Sequence, residues 1–208
     1  LAGRNQARLE ELAADLKVRG AAKAEHASLD FLEEDKHAAL IARASAALGR
    51  LDLVLICHGS LPNRDQCEDD YEHARRELAV ITHLLPTLKA QQHGMLAVVT
   101  SVAGDRGRQP NYLYGAAKSM VSTYLQGLRG RLLPFGVDVL DIRPGLVDSP
   151  MTAAFEKGPL WATPELVASK ILKAVDRKRH TVYVPGYWRL IMAVVRAIPD
   201  GLFKRLKF

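Results

Sequence analysis

Leu96-Ala-Val-Val-Thr100 is an unbroken apolar run, Ser101-Val-Ala-Gly104 turns out of it, and Asn111-Tyr112-Leu113-Tyr114 opens a long stretch of helical period. The run reads as a strand covered on both faces, as in a parallel sheet flanked by helices. The polar stretch from Asp105 to Pro110 links it to the helix, which extends to about Leu133. Outward from this unit the alternation repeats. On the N-terminal side, a helix from about Asp70 to Gln91 follows an apolar strand, Leu51 to Cys57, that ends in His58-Gly59-Ser60. Before it lie a helix from Glu33 to Leu48 closed by Gly49, a short strand within Glu25 to Asp30, and a helix from Gln6 to Arg19. The opening Leu1-Ala-Gly-Arg4 reads as the end of a strand. On the C-terminal side, Val137 to Ile142 is a strand ended by Arg143-Pro144-Gly145, Thr163 to Arg177 a helix, and Thr181 to Val184 a short strand. Strands alternating with helices predict an α/β fold with a mainly parallel sheet. In such sheets ligands bind beyond the carboxyl ends of the strands. Gly59, Ser101 and Pro144-Gly145 all follow strands, so they are candidates to line one crevice.

Tyr114 and Lys118 are four residues apart, on one face of the predicted helix. An ammonium beside a phenol favours phenolate and so draws the tyrosine pKa down from its ordinary value near ~10. Such a phenol exchanges a proton with a carbonyl oxygen near neutral pH. Ser101, at the end of its strand, offers a hydroxyl to the same oxygen. The three residues form a site for carbonyl reduction or alcohol oxidation. The spacing alone is weak, since an aromatic and a lysine on any half-exposed helix reproduce it. The serine and the strand-turn-helix setting give it weight.

At 208 residues, with 48% hydrophobic and 25% charged residues, the chain is of ordinary globular composition. Residues 1–186 read as one domain and 187–208 as a basic amphipathic tail. Cys57 and Cys67 do not make a disulfide framework, which favours a reducing, cytoplasmic setting. No signal peptide and no apolar run long enough to span a membrane are visible. The seven histidines are scattered, and neither cysteine has a ligand-spaced partner, so no metal is expected. The formal charge of +6 suits anionic ligands or a membrane surface, while no aromatic-basic module points to nucleic acid.

Ser101-Val-Ala-Gly104, Tyr114-Gly-Ala-Ala-Lys118 and Pro144-Gly-Leu-Val-Asp-Ser-Pro-Met151, in this order and spacing, resemble the short-chain dehydrogenase/reductase family. The resemblance implies a Rossmann-type, doubly wound sheet and an NAD(P)-dependent oxidoreductase that reduces a ketone or oxidises a secondary alcohol. It implies that Ser101 polarises the carbonyl, Tyr114 is the proton donor, and Lys118 holds the nicotinamide ribose. Arg4, after the presumed second strand, takes the place that meets the adenosine ribose. An arginine there suits a 2′-phosphate, which favours NADP over NAD. Asp30 resembles the aspartate that contacts adenine, although a helix-capping aspartate reads the same. Gly59 stands in the family's Asn-Ala-Gly turn, where close approach to the cofactor is expected; His58 beside it is read as structural. Pro144, Gly145, Val147 and Ser149 are placed along the nicotinamide side, Ser149 replacing a more frequent threonine. Homodimers and homotetramers are common in the family.

The resemblance has gaps. The family's opening strand, glycine-rich turn and helix have no counterpart before Leu1, a portion of roughly 30 residues. A second gap is expected near Val80-Ile81, and the family's helix asparagine has no match. Omission of existing residues is the expectation here. True truncation would instead make the chain a non-catalytic scaffold or binding subunit. Gly104-Asp-Arg-Gly-Arg108 with Asn111-Tyr-Leu-Tyr114 narrows the resemblance to a subgroup that includes decaprenylphosphoryl-2-keto-ribose reductase. That implies a ketone on a polyprenyl-phosphate carrier, with Arg106 and Arg108 near a phosphate. The tail carries Leu190, Ile191, Val194, Val195 and Ile198 as an apolar stripe among Arg189, Arg196, Lys204, Arg205 and Lys207. This is the composition of an interfacial segment, which predicts peripheral contact with the inner face of a membrane.

Overall fold

The computed structural model describes residues 1–57 and 67–206, in the opening of one helix by backbone alone. The elements run β1 (Ala2–Gly3), α1 (Gln6–Val18), β2 (Ala27–Ser28), α2 (His37–Leu48), β3 (Leu53–Ile56), α3 (Cys67–Gln91), β4 (Gly94–Val99), α4 (Tyr112–Leu132), β5 (Val137–Pro144), α5 (Pro164–Asp176), β6 (Thr181–Val184), α6 (Trp188–Ala197) and α7 (Asp200–Phe203). Strands β3-β4-β5-β6 form one sheet in that order, and every described pair is parallel. Parallel neighbours need a crossover, which α3, α4 and α5 supply in turn. This is the expected α/β arrangement.

Two layers of helices explain why β4 is apolar throughout. Leu96 and Val98, with Val137 and Val139 of β5, face one side, where Ile81, Leu84 and Leu88 of α3 and Val121, Leu125, Leu128 and Leu132 of α4 cover them. Met95 and Ala97, with Leu140 and Ile142, face the other side and meet Val167 and Ala174 of α5. Successive side chains point to opposite faces, so each strand feeds both cores. Truncating any of the fully buried leucines is expected to cost about 2–5 kcal/mol.

The structure departs from the single-sheet expectation at its N-terminal side. β1 pairs in parallel with β2, Ala2 opposite Ala27, and no described strand joins that pair to β3. On β3, Val54 and Ile56 join the core, while Leu53 and Leu55 on its other face are exposed. The helix read from Glu33 begins instead as a 3₁₀ turn, Glu34–Lys36, before α2. α3 runs unbroken through Val80 and Ile81, both buried. Arg143 and Pro144 extend β5 beyond the strand end read from sequence.

Candidate active site

Ser101 follows β4 with extended backbone, is buried, and its Oγ accepts from the Ala103 N–H at 3.1 Å. The 3₁₀ turn Val102–Asp105 starts from it. This turn lies directly against α4, and two glycines allow the approach. A Cβ on Gly104 would stand 2.8 Å from the Ser119 nitrogen, and one on Gly115 would stand 2.8 Å from the Ala103 oxygen. Lys118 is only 7% exposed, and its Nζ donates to the Val99 carbonyl at 3.2 Å, two residues before Ser101. Tyr114, half-buried, lies one helical turn before Lys118 on the same face. Strand end, turn and helix thus bring the three sequence-predicted residues together. Lys118 is no solvated surface lysine.

Behind this turn lies a polar cluster that the sequence reading did not single out. Thr100 Oγ1 donates to Asp141 Oδ1 at 2.6 Å. Arg143 reaches Asp141 Oδ2 through Nη2 at 2.7 Å and Asp105 Oδ1 through Nη1 at 2.7 Å. The Tyr183 hydroxyl donates to Asp105 Oδ2 at 2.8 Å. Both carboxylates are fully enclosed, with side-chain exposures of 1% and 0%. Burial alone would lower the Arg143 pKa, but Asp141, by charge and hydrogen bond, and then Asp105 and Tyr183 hold it above the ordinary arginine value. Burial pushes the Tyr183 phenol up, and its bond to Asp105 adds to this. The cluster ties β5 and β6 to the turn that begins at Ser101. One signal was available: Asp141 and Arg143 share a face of an apolar strand with Val137 and Val139.

The other predicted positions are spread around the strand ends. Pro144 ends β5 and is buried; the Gly145 N–H donates to the Val184 carbonyl at 3.0 Å. The side of Gly145 that lacks a Cβ is filled by the Trp188 indole, whose Nε1 would lie 1.9 Å from such an atom. Trp188 is buried, and its Nε1 has no hydrogen-bond partner among the described residues. Val147 bridges Ala162, and Ser149 Oγ lies 3.4 Å from Thr152 Oγ1. Arg4 is exposed beyond β1, with its carbonyl accepting from Ser28 Oγ at 3.3 Å. Asp30 Oδ1 accepts from the Leu32 N–H at 3.0 Å, a local turn contact that leaves its other oxygen without a described hydrogen bond. His58 and Gly59 lie outside the described residues.

The two arginines of the connecting loop have separate fates. Arg106 was expected near a ligand phosphate, but it clamps the tail. It donates to the Val195 and Ile198 carbonyls at 2.6 Å each, pairs with Asp200 at 2.5 Å, and lies 3.8 Å over the Phe203 ring. Arg108 makes no such contacts among the described residues. Its Nε is buried without a partner among the described residues, and burial lowers its pKa against a smaller opposing influence from the neighbouring Tyr114 phenol.

A sequence profile described as short chain dehydrogenase matches residues 1–159. The chain belongs to the short-chain dehydrogenase family. An uncharacterized oxidoreductase of Mycobacterium tuberculosis is 31% identical over 99% of this chain and 86% of its own length. One from Streptomyces coelicolor is 36% identical over 99% and 84%. Among solved structures, a short chain dehydrogenase from Salmonella enterica aligns with a TM-score of 0.78 at 22% identity, over 88% of this chain and 83% of that one. A gluconate 5-dehydrogenase from Burkholderia cenocepacia, in complex with NADP and tartrate, aligns with a TM-score of 0.77 at 18% identity, over 91% and 84%. These structures share the Rossmann-like fold. The family member described here is an NAD(P)-dependent oxidoreductase. Its hydroxyl, phenol and buried ammonium at one strand end fit the nicotinamide and ribose end of that cofactor.

Proposed function

We propose that the protein is a carbonyl reductase in which Ser101, Tyr114 and Lys118 carry the chemistry. The carrying observation is the Lys118 ammonium, buried and reaching the strand end beside Ser101 from one turn after Tyr114. Ser101 holds the ketone oxygen through its hydroxyl. Tyr114 transfers its phenolic proton to that oxygen as charge develops on it. Lys118 favours the phenolate that remains and holds the ribose. The bound nicotinamide supplies the hydride. In the reverse direction Tyr114 accepts the proton of a secondary alcohol. Pro144, Gly145, Val147 and Ser149 line the nicotinamide side, and Asp30 meets the adenine. The exposed Arg4 favours NADP through a 2′-phosphate.

The substrate in this reading is a ketone whose carrier bears a phosphate, such as a polyprenyl-phosphate-linked sugar. Arg108 supports it: a partly buried guanidinium beside Tyr114 with an orphaned donor fits an anionic group near the reacting carbon. The tail supports contact with the membrane that holds such a carrier, since Leu190 and Val194 project from it at 72% and 59% exposure. Among the described residues no helix is long and apolar enough to cross a membrane. The non-catalytic scaffold loses support, because relatives named oxidoreductases align over nearly the whole chain.

Tyr114→Phe tests the assignment. Turnover of a ketone panel is expected to fall by roughly 10²–10⁴-fold, with NAD(P)H affinity by titration unchanged. Full turnover by the variant would remove Tyr114 from the mechanism.

A further inference from the structure

Between α5, β6 and α6, away from Ser101, Tyr114 and Lys118, runs an open groove of about 770 Å³. Lys170, Lys173, Arg177, Arg179, Arg189 and Arg196 line it, and among the described residues no carboxylate does. All six are exposed, and no ion pair engages any of them among the described residues. Lys178, between two of them in sequence, is paired with Asp138 at 3.2 Å.

The spacing explains how the charges face one another. Lys170 and Lys173 of α5 and Arg177, its C-cap, fall at i, i+3 and i+7, and so form one row. Arg189 and Arg196 are seven apart on α6, two turns along one face, with the small Ala193 between them keeping the groove open. Arg179 comes from the turn after α5. Two cationic rows thus look at each other across the β6 edge. Like charges so placed repel, and anions between them relieve the repulsion.

α6 has a third face. At about 100° per residue, Trp188 and Met192 point into the core, Arg189 and Arg196 into the groove, and Leu190 and Val194 away from both. One helix therefore carries a cationic row and an exposed apolar row side by side.

We propose that the groove and the Leu190–Val194 row form one docking surface for an anionic phospholipid bilayer. Phosphate head groups enter between α5 and α6, while Leu190 and Val194 reach the acyl boundary. The inference rests on the interfacial reading of the tail and adds a head-group site that extends outside it. A second copy of the chain fits poorly, because a two-fold axis would set six cations against the same six. A nucleic acid would use the charges and leave the apolar row idle.

The test is flotation with phosphatidylcholine vesicles, with and without about 30% phosphatidylglycerol. The full chain is expected to float only with the anionic vesicles, and less as salt is raised. Lys170→Glu/Lys173→Glu/Arg177→Glu changes only exposed residues of α5 and its C-cap. It should lower partition at least tenfold, since each basic residue near an anionic surface is worth about fivefold. Its turnover of a soluble ketone and its thermal midpoint should match the parent. Leu190→Ser/Val194→Ser probes the tail separately. If the charge-reversed protein floats like the parent while the serine variant does not, the groove proposal falls and the tail reading stands. If the parent does not float, both fall. If it binds a DNA oligonucleotide in a salt-dependent way but not vesicles, the groove belongs to nucleic acid and the proposal is overturned.

Discussion

Gly115 and Ala103 meet so closely that a Cβ on the glycine would stand 2.8 Å from the alanine's carbonyl oxygen. The contact joins the turn that starts at Ser101 to the helix that carries Tyr114 and Lys118. A second close approach, Gly104 against the backbone of Lys118 and Ser119, lies beside it. The geometry of the triad is set by this seam.

Gly115→Ala pits two effects against each other. Alanine is the better helix residue by about 0.8–1.0 kcal/mol, but overpacking costs about 1–3 kcal/mol, and a backbone carbonyl cannot swing aside. We expect a net loss of about 1 kcal/mol in unfolding free energy, read as a lower denaturant midpoint. Turnover should fall further, by as much as ~10²-fold, because a displacement of about 1 Å at a reacting group is that costly. A variant as active as the parent would show the seam to be dispensable.

Arg143→Met removes the cation shared by Asp105 and Asp141. Breaking a buried pair from one side leaves uncompensated charge and costs about 3–5 kcal/mol. Equilibrium unfolding in urea measures this directly. A loss below about 1 kcal/mol, the range of exposed ion pairs, would mean that the cluster is solvated.

Tyr183 gives a pH signature. Its folded pKa lies above the unfolded value of about 10, so the folded state holds the proton longer. The stability this contributes is fully present below about pH 10 and is lost as pH rises through the folded pKa. The denaturant midpoint of the parent should therefore fall as pH rises above about 10. Tyr183→Phe should flatten that part of the curve. Identical alkaline slopes would refute the linkage.

Arg108→Met should raise KM for a phosphate-bearing ketone by roughly 10–100-fold, the loss of one charged hydrogen bond. The kcat/KM of a small neutral ketone should stay within a few-fold. Equal losses for both would mark Arg108 as structural.

The elements that depend on local pattern were legible in the sequence. β6 has the bounds read for it, and the candidates Ser101, Tyr114 and Lys118, chosen from spacing, lie at the strand end and on the helix read for them. The polar cluster was not, because its bonds join residues 38 and 78 positions apart, Asp105 with Arg143 and with Tyr183. The tail was half legible. Leu190, Ile191, Val194, Val195 and Ile198 read as one stripe, but packing turns Ile191 and Val195 toward Val102 and Trp188 and leaves Leu190 and Val194 outside. Periodicity alone does not say which apolar residues find a covering partner. Arg106 shows the same limit from the polar side: nothing near it in sequence names the carbonyls of Val195 and Ile198.

The indole lodged against Gly145 makes the molecule its own optical sensor. The chain has two tryptophans, and Trp161→Phe would leave Trp188 alone. That ring is at once part of the wall beside the strand end and the first residue of α6. A ligand settling beside Gly145 and a surface pulling on α6 would both register in one emission band, without any label.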